Sequence, residues 1–117
     1  MNSVLIVDDE KKIRDIYKKL LTEEGYETIV TSNATDAYDT LKTRKIDLVI
    51  LDIQLPKIKG DTLYEVLRFF RNSSKVLVAS VYSLEKQMQL IPDADDYFDK
   101  SHGLDVLLDK IKKLLTS

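Results

Sequence analysis

Five short runs rich in apolar residues, at 3–7, 27–31, 47–51, 75–79 and 96–98, alternate along the chain with stretches whose apolar residues fall at helical spacing. This alternation limits the fold more than any other feature. Runs such as Val4-Leu5-Ile6-Val7 and Leu48-Val49-Ile50-Leu51 show no alternation of apolar and polar residues, so they suit strands buried on both faces. Strands of that kind are parallel and need crossover helices on both sides of the sheet. The runs are numbered β1 to β5 in order. β2 and β5 are the more polar or shorter, as sheet-edge strands often are. Between them, Ile13, Ile16, Tyr17, Leu20 and Leu21 mark α1 (13–21), with Gly25 as its stop, and Ser32 or Asn33 can cap α2 (34–41). Leu63, Val66, Leu67 and Phe70 mark α3 (63–70), a weaker pattern ended by Pro92 marks α4 (84–91), and six apolar positions mark a long α5 (104–115).

Composition narrows the function. A chain of 117 residues suits one domain with one core, and 44% apolar with 32% charged residues supports packing rather than disorder. The net charge of -2, with acids and bases interleaved, gives no electrostatic case for nucleic acid. Without cysteine there is neither a disulfide framework nor a thiolate metal site. No long apolar run or leader pattern is present, so the expectation is a soluble, cytoplasmic protein with no membrane partner.

Two of the apolar runs stop on carboxylates: β1 on Asp8-Asp9 and β3 on Asp52. In an open parallel sheet, ligands bind at the carboxyl ends of strands near a topological switch point. Ser80 after β4 and Lys100 after β5 lie at that same edge. Carboxylates brought together out of water repel strongly, so something positive must sit among them, and a divalent cation is the candidate. Mg²⁺ takes oxygen ligands and is commonly held by one or two carboxylates plus a phosphate. An oxygen of Asp52 could then attack a phosphoryl donor in line, with Lys100 and the Ser80 hydroxyl on phosphate oxygens. A second histidine, a glycine-rich phosphate loop and a Gly-x-Ser-x-Gly elbow are all missing, which leaves rival chemistries poorly supplied.

Four pieces in order, Val4-Leu5-Ile6-Val7-Asp8-Asp9-Glu10, Asp52-Ile53-Gln54-Leu55-Pro56-Lys57-Ile58-Lys59-Gly60, Val76-Leu77-Val78-Ala79-Ser80 and Tyr97-Phe98-Asp99-Lys100, resemble a response-regulator receiver domain. The resemblance runs from end to end and implies a doubly wound, flavodoxin-like (βα)5 fold with strand order 2-1-3-4-5, a receiver over residues 1–117 with no output domain. By it, Asp8 and Asp9 match the metal-binding acids, with Asp52 and the Gln54 backbone carbonyl completing a Mg²⁺ or Mn²⁺ site. Asp52 matches the phosphoacceptor, Ser80 the switch hydroxyl, Lys100 the phosphate-sensing lysine and Tyr97 the switch aromatic. The family implies two-component signalling: phosphorylation by a histidine kinase or phosphotransfer protein, and readout to a downstream protein through the α4-β5-α5 face. It also implies a monomer or weak dimer that turns over no external substrate.

Three departures from the family pattern stand out. Val81 follows the switch hydroxyl where a small residue is usual, and with Gln54 and Tyr82 it is expected to narrow the approach to Asp52 and slow hydrolysis of an acyl phosphate. Ser101 replaces the proline that usually follows the lysine, so the Lys100-Ser101 bond is expected to be trans, with some displacement of the β5–α5 loop. The α4 region is two residues shorter than the family leads one to expect, with Pro92-Asp93-Ala94-Asp95 before β5. These departures keep open a degenerate receiver that signals without phosphate. A small aspartate-nucleophile phosphatase also places an acid after an apolar strand, but this chain has Gln54 where those enzymes have their second acid. Bland alternatives are helix capping by Asp8 or Asp9, a turn role for Asp52, a solvated Lys100, and a surface role for His102 and for Lys57 and Lys59.

Overall fold

A computed structural model describes residues 2–55, 62, 64, 68 and 74–116. Five parallel strands, β1 (Ser3–Val7), β2 (Glu27–Thr31), β3 (Leu48–Leu51), β4 (Lys75–Ser80) and β5 (Asp96–Asp99), form one sheet in the order β2-β1-β3-β4-β5. The helices are α1 (Lys11–Glu23), α2 (Ala34–Thr43), α4 (Leu84–Leu90) and α5 (Leu104–Thr116). The apolar positions expected to mark α3 lie outside the described residues, as do Pro56, Lys57, Lys59 and Gly60; Thr62, Tyr64 and Arg68 of that segment are helical. This is the doubly wound architecture expected from the alternation of runs.

Each central strand buries alternate residues on opposite faces. Val4, Ile6, Leu48, Ile50, Leu77, Ala79 and Phe98 pack under α1 and α5, against Tyr17, Leu21, Leu107 and Ile111. Leu5, Val7, Val49, Leu51, Val76, Val78 and Tyr97 pack on the other face with Ala34 and Ala37 of α2 and with Ile91. Two dry faces explain why the runs are continuously apolar.

Local chemistry sets the ends of the elements. Gly25 ends α1 at a φ of 89°, a left-handed conformation that favours glycine. Asn33 rather than Ser32 caps α2, accepting the Asp36 N–H at 2.8 Å. Ser83 caps α4, accepting the Lys86 N–H at 3.2 Å, and the helix stops at Leu90, two residues before Pro92. β4 and β5 each run one residue further than expected, so Ser80 closes its strand instead of following it.

Register builds the functional edge. Val7 pairs with Leu51, so Asp8 and Asp52 leave neighbouring strands side by side, and the Asp52 N–H donates to the Val7 carbonyl at 3.0 Å. Ser80 pairs with Asp99, and the Lys100 N–H donates to the Ser80 carbonyl at 2.8 Å. Four strands thereby deliver their terminal residues to one side of the sheet.

Candidate functional site

At that edge one carboxylate oxygen from each of Asp8, Asp9 and Asp52 lies within 4.8 Å of the others. Asp8 and Asp52 are buried and Asp9 is exposed. Each buried carboxylate is oriented by the turn after its own strand: Asp8 Oδ1 accepts the Glu10 N–H at 2.9 Å, and Asp52 Oδ1 accepts the Gln54 N–H at 3.0 Å. Arg14 Nη1 donates to the Asp8 carbonyl oxygen at 3.0 Å, fixing the same turn from α1. Glu10 holds the α1 cap position without a side-chain cap bond, so neither Asp8 nor Asp9 is there as a cap.

Lys100 is no surface lysine. Its side chain is 7% exposed, and Nζ lies 2.6 Å from Asp8 Oδ2 and 3.4 Å from Asp52 Oδ2. Burial alone would depress its pKa, but the hydrogen bond to Asp8 and the charge of Asp52 together outweigh burial and hold the group above the ordinary lysine value. Burial pushes the Asp52 carboxyl up, opposed by the Lys100 charge and the Gln54 N–H. Burial, followed by the charges of Asp8 and Asp52, also raises the Tyr17 phenol beneath the site. The three carboxylates outnumber the buried ammonium among them by two, an excess of negative oxygen ligands. An all-oxygen set with that excess suits a hard dication such as Mg²⁺.

The β4 side forms the rim. Ser80 is fully buried, and its Oγ accepts the Tyr82 N–H at 3.2 Å. Gln54 Nε2 donates to the Tyr82 hydroxyl at 3.3 Å, tying together the loops after β3 and β4, while Lys86 Nζ stands 4.1 Å from the Tyr82 ring centroid. Val81 is 61% exposed. Tyr97 is buried; its hydroxyl donates to the Ile91 carbonyl and accepts the Ala94 N–H at 3.2 Å, which anchors it to the α4–β5 connection. His102 is exposed, edge-on to the Phe98 ring. The Lys100-Ser101 bond is trans, as expected.

One buried residue escaped the sequence reading. Gln87 of α4 is fully buried, and its Nε2 donates to the carbonyls of Tyr82 at 2.8 Å and Phe98 at 2.9 Å, with the Ser80 carbonyl at 3.5 Å. Its Oε1 is buried without a hydrogen-bond partner among the described residues, a condition that costs about 1–3 kcal/mol. The available signal was spacing: Gln87 falls three residues after Leu84 and four before Ile91, on the apolar stripe of the helix.

The family model described as "Response regulator receiver domain" matches residues 4–112, and the chain belongs to that family. It is therefore a receiver domain of the two-component response-regulator type. Among its relatives, the heme response regulator HssR of Staphylococcus saprophyticus is 31% identical over 98% of this chain and 52% of its own length. The transcriptional regulatory protein CpxR of Escherichia coli K12 is 34% identical over 98% of this chain and 50% of its own length. The chain thus spans about half the length of these two relatives. Among solved structures, response regulator protein TrrA from Thermotoga maritima, in complex with Mg²⁺ and BeF, is 37% identical with a TM-score of 0.90, covering 98% of this chain and 100% of that one. TrrA in complex with histidine kinase ThkA superposes with a TM-score of 0.89 at 37% identity, over 98% of this chain and 99% of that chain. No helix among the described residues is long and apolar enough to cross a membrane.

Proposed function

We propose that the chain is a Mg²⁺-dependent phosphoryl acceptor, phosphorylated on Asp52 by a histidine kinase or a phosphotransfer protein. The observation that carries this reading is the pairing of buried Asp52 with Asp8, Asp9 and Lys100 at one sheet edge. TrrA, solved both with Mg²⁺ and BeF and with ThkA, supports the same ligand and the same class of donor for this chain.

Asp52 serves as the nucleophile. The Gln54 N–H holds one carboxylate oxygen, which orients the other for attack on the phosphorus of a phosphohistidine. The O–P bond forms as the P–N bond breaks, and the imidazole nitrogen leaves with the electron pair. Asp8, Asp9, Asp52 and the Gln54 backbone carbonyl would hold the cation, which when bound neutralises charge developing on the phosphoryl oxygens. Lys100 is a fixed ammonium already within reach of Asp52, suited to a phosphoryl oxygen once the carboxylate is phosphorylated. Ser80 supplies a hydroxyl donor from the neighbouring strand, and Tyr97 follows the shift from the C-terminal end of α4. Gln54, Val81 and Tyr82 govern the approach of water, so they tune the lifetime of the acyl phosphate. A downstream protein reads the change at α4, β5 and α5. No external substrate is turned over.

The direct test is incubation with phosphoramidate and Mg²⁺ beside Asp52→Asn. A phosphoryl adduct confined to the wild type supports the assignment. An adduct that persists in the variant overturns it, and absence of both an adduct and beryllofluoride binding in the wild type points to a phosphate-independent interaction module.

A further inference from the structure

The Gln87 amide has a fixed orientation. Its Nε2 meets three carbonyl oxygens, those of Tyr82, Phe98 and, at 3.5 Å, Ser80, so turning the amide over would set oxygen against oxygen. Oε1 is thereby committed to a buried position with no donor among the described residues. A leucine on this stripe would have filled the space without that penalty. What the amide supplies instead is a bridge: Tyr82 lies two residues after Ser80, and Phe98 lies two before Lys100. From α4, Gln87 ties together the strand ends that carry the two phosphate-facing groups of the site.

The unpartnered oxygen has a counterpart nearby. Ser80 Oγ accepts the Tyr82 N–H at 3.2 Å. When the hydroxyl swings away to donate to a phosphoryl oxygen on Asp52, that N–H loses its acceptor. It belongs to the residue whose carbonyl Gln87 already holds at 2.8 Å, so the freed donor and the unpartnered acceptor belong to two residues already in contact.

We propose that Gln87 is a positioning residue for the loaded site: its Nε2 holds the Ser80 and Lys100 segments in register, and its Oε1 takes the Tyr82 N–H when Ser80 turns toward the phosphoryl group. The exchange costs no net hydrogen bond, and it reports the state of Ser80 to α4. That helix exposes Met88 and Leu90, so the signal reaches a surface a partner can touch. The inference rests on the phosphoacceptor reading of Asp52.

The test titrates the wild-type chain, Gln87→Met, Ser80→Ala and the double variant, first with Mg²⁺ alone and then with beryllofluoride plus Mg²⁺. Met keeps the length of the side chain and removes both hydrogen-bonding groups. Mg²⁺ affinity, set by the acids, should stay within about twofold in Gln87→Met, while beryllofluoride binding weakens about tenfold, the worth of one net hydrogen bond. In the Ser80→Ala background, which lacks the hydroxyl that turns, adding Gln87→Met should weaken beryllofluoride binding by clearly less than about tenfold, the remainder being the lost hold on the Lys100 segment. Amide exchange of the wild type gives a readout that needs no variant. The Tyr82 N–H should remain protected after beryllofluoride loading, and should lose that protection in loaded Gln87→Met. Equal beryllofluoride affinity in wild type and Gln87→Met overturns the proposal, as does equal weakening of Mg²⁺ and beryllofluoride or a Tyr82 amide that exchanges freely once the wild type is loaded. Failure of the wild type to bind beryllofluoride at all instead removes the reading of Asp52 beneath it.

Discussion

At Lys100 one ammonium meets two buried carboxylates, 2.6 Å from Asp8 and 3.4 Å from Asp52, so its removal has two opposed consequences. Lys100→Met leaves those acids without their counter-charge and should destabilise the cation-free protein by about 3 kcal/mol. The same change removes a competitor for the carboxylates, so Mg²⁺ should bind more tightly. Urea denaturation in chelator and calorimetric titration with Mg²⁺ check both halves; unchanged stability or weaker Mg²⁺ binding would contradict them. Val81 lends itself to a kinetic test, since it is 61% exposed and its truncation should leave stability within about 0.5 kcal/mol. Val81→Ala should speed loss of the phosphoryl group from Asp52, followed by intact mass over time, and an unchanged or slower decay would remove Val81 from the rim's control. The meeting of Asp8, Asp9, Asp52 and Lys100 was legible because the acids follow apolar runs, and the lysine follows the last strand, at the same sheet edge. Gln87 was not, because a glutamine within a helix reads as solvated until its tertiary partners are known. The anchoring of Tyr97 was hidden for the same reason: its partners, Ile91 and Ala94, lie in an irregular connection that no periodicity describes.

The described helices divide into buried and exposed faces, which allows neighbouring residues to be set against each other. In α5, Leu107 is fully buried beneath the sheet whereas Val106 is 36% exposed. Leu107→Ala should cost about 2–5 kcal/mol by lost burial and the cavity left behind, while Val106→Ala should fall within about 0.5 kcal/mol. Urea midpoints for the two variants decide it, and similar losses would mean that the packing of α5 is misassigned. At the start of α2, Asn33→Ala removes the acceptor of the Asp36 N–H and should cost about 1 kcal/mol. Strand positions were legible to within a residue because continuous apolar runs between turn residues leave few alternatives. Helix ends were less so: Ser32 and Asn33 are both competent caps, and only the backbone conformation chooses between them.

Across the whole molecule the net charge of -2 is small, yet the strand ends gather three carboxylates, two of them against one buried lysine. Topology, more than composition, creates the site: the order β2-β1-β3-β4-β5 sets β1 beside β3, and the register sets Asp8 beside Asp52. A cation that binds only this assembled edge should stabilise the fold by mass action, by about 2.7 kcal/mol at a hundred times its dissociation constant. The melting temperature should therefore rise with Mg²⁺ and fall back on chelation, and indifference to Mg²⁺ would deny the acids their role. The central claim, that Asp52 accepts a phosphoryl group, is tested most directly by intact mass after incubation with phosphoramidate and Mg²⁺, beside Asp52→Asn. The expected result is the mass of one added phosphoryl group on the wild type and none on the variant. An adduct of equal extent on both would contradict it.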